Sequence, residues 1–283
     1  STGDVVHLSP DQKALPMLRA TEEAGQWIHF GSKSDTLHWT LGDRFYSLPI
    51  SMEALSDTKD RARPQASATH IDMESPHDQP TGRIALRNAR VLSMTSHLVQ
   101  EHQTILIEGN RIIAMGETDS LEIPEETHTM DLEGRMVMPG LIDTHAHGQQ
   151  AHQGITPQQN WVDYARLAFG VTTVHDPSNE TESIFAASEL TKAGGITAPR
   201  TFSTGRILYG AAGHYKAEIE SLEDASFHLR RMAAVGAFSV KSYNQPRRDQ
   251  RQQIIRAARD LNMLVMPEGG ATLMHNLTMI VDG

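Results

Sequence analysis

Two histidines one residue apart close the segment Pro139-Gly140-Leu141-Ile142-Asp143-Thr144-His145-Ala146-His147. Neutral imidazoles ligate zinc and other borderline transition ions, and two of them side by side form half of such a site. Side chains two apart on a strand share a face. Val137, Met138, Leu141 and Ile142 make the approach apolar and strand-like, so His145 and His147 are expected to project together from a strand terminus. Asp143 has the same parity and is expected behind them as a carboxylate that orients a ligand. A bare His-x-His usually marks surface histidines. The Pro-Gly and the apolar residues that bracket this one make it a ligand pair.

Composition narrows the alternatives. Among 283 residues, 35 acidic side chains outnumber 25 basic ones, for a net charge of −10, which argues against a nucleic-acid or anionic-membrane surface. The 39% of hydrophobic residues suffices for a globular core, and no apolar run approaches membrane-spanning length. There is no cysteine, so a metal would be left to His, carboxylates or a modified lysine. Neither a basic stretch followed by an apolar one at the N-terminus, nor a Gly-x-Gly-x-x-Gly or Walker A run, nor a Gly-x-Ser-x-Gly elbow is visible.

The elements that must position these histidines fall into segments. Residues 1–50 carry four short strand-like runs, Ala14–Ala20, Gln26–Gly31, Thr36–Gly42 and Arg44–Ile50, separated by turn chemistry such as Ser9-Pro10-Asp11. Four such strands suggest one β-propeller blade, and Leu8-Ser9-Pro10-Asp11-Gln12-Lys13 resembles the blade signature of TolB-like propellers, with Gln12 where glycine is usual. A lone blade cannot bury its faces, so a remnant or a cap is expected. His7, His29 and His38 belong to it and need no chemistry. Residues 51–82, with the charged run Asp57–Arg63, read as a linker. Residues 83–138 read as β, with strands Ile84–Ser93, Thr104–Ile107 and Arg111–Met115 and a hairpin turn at Glu108-Gly109-Asn110. Residues 139–283 alternate strand and helix. After the Pro139–Asp143 strand come Val171–His175, Arg200–Leu208, Phe238–Ser242 and Met263–Pro267, interleaved with helices at Trp161–Phe169, Glu182–Ala193, Leu222–Val235 and Arg248–Leu261. Such alternation predicts an α/β fold with a parallel sheet or barrel.

Pro139–His147 and Gly170-Val171-Thr172-Thr173-Val174 resemble the amidohydrolase superfamily of metal-dependent hydrolases, in its imidazolonepropionase/Xaa-Pro dipeptidase-like branch. The resemblance covers roughly Gly82 to the C-terminus. It implies a small β-sandwich domain over 83–138 and a partial (β/α)8 TIM-type barrel of about five strands over 139–283, with His145 and His147 as ligands on the first strand. Lys241 matches the family's strand-four lysine, which is carboxylated and bridges two metals; read by itself it is a lysine with its stem on the sheet and its head in water. Glu268 stands where the family's fifth strand ends in histidine, and two readings remain open for it, an oxygen ligand or a solvated loop glutamate. Tyr209, His214 and Tyr243 follow strands three and four and are candidate substrate contacts. His175 is expected to line the pocket or be satisfied in the core, and His275 to be an ordinary helix or loop histidine.

The implied activity is hydrolysis of amide C–N bonds in dipeptides or small cyclic compounds by water activated on one or two divalent cations, zinc foremost. A full barrel takes about 250 residues. Strands six to eight, with their histidine ligand and general-base aspartate, are not found after Glu268, so a fragment of a longer chain, inactive alone, is expected. Its partners would be a small-molecule or dipeptide substrate and a second copy or the remainder of a longer chain, with no nucleic acid and no membrane. The compartment stays open, export being implied only by the TolB resemblance. The competing expectation is a catalytically incomplete binding or assembly protein built on the same fold.

Overall fold

The computed structural model describes residues 20–21, 23–51, 65–71, 73–152, 154–211, 216–245 and 247–283. The strand expected at Ala14–Ala20, the TolB-like phrase at Leu8–Lys13, His7, the charged run Asp57–Arg63 and His214 lie outside the described residues. The chain divides into two compact units. One comprises residues within Ser1–Glu74, Pro177–Thr181 and Thr204–Gly283; the other comprises Ser75–Asp176 and Glu182–Ser203.

The first unit opens with a four-stranded antiparallel sheet, β1 (Gln26–Phe30), β2 (Thr36–Leu41), β3 (Arg44–Pro49) and β4 (Ser67–His70), in sequential order. Alternation in β2 and β3 puts Trp39, Leu41 and Leu48 on the buried face, and Trp39 stacks on Tyr46. The fourth strand, β4, comes from the segment read as a linker: Ser67–His70 completes backbone pairs with β3 that polar composition alone conceals. An antiparallel meander of this size occurs in many folds and assigns no propeller.

The same unit contains a parallel sheet ordered β14-β13-β15-β16, from β13 (Ile207–Tyr209), β14 (Lys216–Glu218), β15 (Ser239–Ser242) and β16 (Leu264–Pro267). Helices α3 (Leu222–Ala234), α4 (Arg248–Asp260) and α5 (Leu273–Asp282) accompany it. A capping box starts α3: the Ser221 hydroxyl accepts from the Asp224 N–H while the Asp224 carboxylate accepts from the Ser221 N–H. Its buried face, Ala225, Leu229 and Met232, follows the helical period and packs against α4, whose buried face includes Ile254, Ala257 and Ala258.

The second unit holds a five-stranded sheet, β5 (Arg83–Val91), β6 (Gln100–Glu108), β7 (Arg111–Glu117), β8 (His128–Asp131) and β9 (Met136–Val137), with β5 central. Ala89, Val91 and Ile105 form its buried cluster, covered by Leu86, Ile107, Leu132 and Val137. These strands pair into one sheet. The unit also holds a three-stranded parallel sheet of β10 (Leu141–Asp143), β11 (Val171–Asp176) and β12 (Arg200–Ser203), with α1 (Trp161–Ala168) and most of α2 (Thr181–Lys192).

The helix–strand alternation stands, and the described parallel strands lie in two sheets, one in each unit. The strand expected over Arg200–Leu208 is two, β12 and β13, parted at Gly205. Gly205 has φ +63°, and a Cβ there would sit 2.8 Å from Thr181 Oγ1 and 3.1 Å from Met232 Sδ. No side chain fits that turn, and extended pairing ends at it. β14 was not expected either, because three residues are too few for a periodic signal.

Candidate metal centre

In the second unit β10 pairs in parallel with β11, Asp143 opposite Val174, and β11 pairs with β12, Asp176 opposite Ser203. β10 stops at Asp143, so the histidines lie just beyond the strand, at the C-terminal end of the sheet. Two bonds shape the turn that presents them. The Asp143 carboxylate accepts the backbone N–H of His145 at 3.0 Å, and Ala146, 2% exposed, donates its N–H to the carbonyl of His175 at 3.0 Å. The two imidazoles meet edge to face with ring centroids 5.1 Å apart. The juxtaposition expected from spacing is present, but it is made by a turn and not by strand parity.

Asp143 therefore works on the backbone. The carboxylate that faces an imidazole is that of Asp176, buried at the end of β11, with Oδ1 3.4 Å from His147 Nδ1. That distance exceeds the roughly 2.9 Å usual for N–H···O, so the contact is electrostatic. Asp176 is itself held, since the Ser203 hydroxyl donates to its carbonyl at 2.7 Å. His175 contributes its carbonyl to the turn, as the bond to Ala146 shows. Sequence reasoning missed Asp176, because its nearness to His147 comes from pairing across strands 29 residues apart in number and leaves no local spacing.

The first unit carries a second cluster. Lys241 lies in β15, all four residues of which are buried, and Glu268 follows β16. Lys241 Nζ is 2.5 Å from Glu268 Oε2, with side chains 4% and 31% exposed, and Glu268 donates its N–H to the Ser242 carbonyl at 3.0 Å. The ammonium is thus buried on a carboxylate and not raised into water, and the glutamate is engaged and not loose. Tyr243 and Tyr209 meet edge to face with centroids 5.4 Å apart. Lys241 Nζ lies 5.6 Å from the Tyr243 ring, and Lys216 Nζ lies over both rings, at 4.3 and 5.1 Å. Lys216, which nothing in the sequence singled out, joins the two tyrosines into one cationic-aromatic surface. His275 contacts Arg251, Nδ1 to Nη1 at 3.3 Å. Among the described residues, no three His, Asp or Glu side chains converge as a metal-binding group.

No protein-family model matches the chain. Locally it is 33% identical over 118 residues to adenine deaminase of Brucella anthropi, a stretch covering 40% of this chain and 19% of that protein. It is 35% identical over 66 residues to imidazolonepropionase of Vibrio cholerae, covering 22% of this chain and 16% of that protein. The structure resembles a Xaa-Pro dipeptidase with bound methionine in the active site, at TM-score 0.60 and 19% identity, over 71% of this chain and 60% of that one. It also resembles phenylurea hydrolase B, at TM-score 0.57 and 18% identity, over 71% of this chain and 58% of that one. The likeness to these solved structures shows a shared fold. The chain spans about three fifths of these solved structures and less than a fifth of the curated relatives.

Against that fold, the donor chemistry of the two clusters differs. His145 and His147 are nitrogen donors, and His147 is backed by a buried carboxylate, an arrangement suited to a divalent cation. An ammonium cannot ligate, so Lys241 fits a cation only as a carbamate. That group would place a second anion beside Glu268, a pairing that a cation relieves.

Proposed function

We propose that this chain is part of a metal-dependent hydrolase of amide C–N bonds, acting on dipeptides or small cyclic amides. His145 and His147 would ligate a divalent cation, zinc foremost, with Asp176 orienting His147 and Asp143 shaping the turn. Carboxylated Lys241 and Glu268 would be oxygen ligands, the first bridging two cations. A bound divalent ion supplies a water activated near neutral pH and Lewis-acid polarisation of a carbonyl. Tyr209, Tyr243 and Lys216 would contact substrate, with His214 as a further candidate. In domain terms, 83–138 corresponds to the family's sandwich domain, 139–283 to the N-terminal part of its barrel, 1–50 to a blade-like segment and 51–82 to a linker.

The observation that carries this reading is the paired imidazoles beyond the C-terminal end of a parallel sheet with a buried carboxylate behind His147. Ligands in open α/β sheets and barrels bind at that end. The test is hydrolysis of a panel of dipeptides and cyclic amides by the full-length protein, with and without added Zn²⁺. Metal-dependent release of amine, abolished in His145→Ala and in Lys241→Ala, is the expected result. Unchanged turnover in either variant would refute the assignment.

One observation favours a second reading, a binding or assembly protein. The Lys241–Glu268 pair neutralises itself without any metal. That reading requires no stoichiometric metal and a stable protein partner on size exclusion.

A further inference from the structure

We infer that Arg166, fixed by the buried carboxylate of Asp163, is a positioning residue for the metal ligand His147. The inference rests on the metal-site reading above and extends it to residues that touch neither metal nor substrate.

Asp163 and Arg166 are one helical turn apart on α1, so their side chains share a face. Asp163 is 1% exposed and Arg166 only 12% exposed in its side chain. One prong of the guanidinium, Nη1, donates to Asp163 Oδ1 at 3.1 Å, and the other, Nη2, donates to the backbone carbonyl of His147 at 2.8 Å. Gln150 nearby is 4% exposed, and Asn160 Nδ2 donates to the carbonyl of Gln149 at 2.9 Å. The backbone of residues 147 and 149 is thus tied to α1, by Arg166 in its last turn and by its N-cap Asn160. The close approach depends on Gly148: a Cβ there would lie 3.1 Å from Arg166 Nη2 and 3.2 Å from Val162 Cγ1.

A buried ion pair contributes little stability relative to apolar packing, because two charges must be desolvated. Burial indeed pushes the Asp163 carboxyl up, against the opposing pull of Arg166. What the pair does supply is a guanidinium held in one orientation, with a second donor aimed at a single carbonyl. His147 is then restrained twice, at its backbone by Arg166 and at its ring by Asp176, whose carboxylate faces Nδ1 and leaves Nε2 for a cation. A histidine ligand needs such restraint, since its ring must not reorient between cation-bound and cation-free states.

The probe is Co²⁺ alone, titrated into the full chain and followed by its visible absorption, at a temperature below the thermal transition of each variant. Arg166→Lys keeps the charge that neutralises Asp163 but replaces the fork by one ammonium, which cannot reproduce both bonds. Its Co²⁺ affinity is expected to fall on the order of 10-fold, with a changed absorption band. Gly148→Ala, whose Cβ crowds the Nη2 that holds the His147 carbonyl while both charges of the ion pair are kept, should weaken binding in the same direction and covers the case in which Arg166→Lys does not fold. A purely structural role would lower the melting temperature and leave affinity and spectrum as in the wild type, and that result overturns the inference. Absence of binding by the wild type would overturn the metal reading with it, so the two failures are distinct.

Discussion

The turn carrying His145 and His147 and the pair formed by Lys241 and Glu268 solve opposite problems. The imidazoles are partly in water; His147 keeps 53% of its side chain exposed. Their scaffold is what is buried: Ala146, Asp163, Asp176 and Ser203. At Lys241 the functional group itself is buried, and a carboxylate must accompany it. An open donor pair on a rigid support costs the fold little and gains from a cation. A buried charge pair is already complete, and must be chemically altered before it can ligate.

The comparison can be broken most forcefully at Glu268. Glu268→Ala strands a buried ammonium and should destabilise the chain by about 2–3 kcal/mol in urea unfolding. That is less than the roughly 3–5 of a fully buried pair, because the glutamate keeps 31% of its side chain exposed. His145→Ala in metal-free protein should change stability by only about 0.5 kcal/mol, as an exposed site. Equal losses at the two positions would erase the distinction.

Zn²⁺ at about 100 times its dissociation constant should stabilise the wild type by about 2.7 kcal/mol, read as a rise in urea midpoint. His147→Ala should abolish that gain. A gain that persists would move the cation elsewhere.

Asp143→Ala and Asp176→Asn sharpen the division of labour behind the imidazoles. Asp143→Ala loses one backbone bond and about 1 kcal/mol of turn stability. Asp176→Asn removes the charge facing His147 and should reduce Zn²⁺ affinity by about 10-fold or more. The reverse order of affinities would return the orienting role to Asp143.

A pH slope at α3 tests the fold apart from the residues of either cluster. Burial, reinforced by Arg231, pushes His228 down to about 4 from 6.5. The unfolded chain binds a proton there that the folded chain refuses, so this contribution is intact above 6.5 and stability falls as pH drops from 6.5 toward 4. His228→Gln should flatten unfolding free energy over that window. A slope identical to that of the wild type would assign it to other groups.

Local signals in the sequence were legible where the structure is local. Helical periods marked α3 and α4 to within a residue or two, and the Pro-Gly-bracketed His-x-His marked the two imidazoles that meet beyond β10. Lys241 and Glu268 stood at the ends of apolar strands, but their mutual pairing follows from the register of β15 on β16, with Lys241 opposite Met266. Asp176 and Arg166 reach His147 from a neighbouring strand and a following helix, and nothing in their own surroundings in sequence records that. Gly205 shows the converse: a strand-like apolar run broken by one residue whose φ, not its hydropathy, decides.

The most direct test of the metal reading is equilibrium dialysis of the full chain against Zn²⁺, with the His145→Ala/His147→Ala double variant alongside. The account predicts at least one Zn²⁺ per wild-type chain and a large loss of that binding in the double variant. A wild type that retains no Zn²⁺, or a double variant that retains as much, would contradict it.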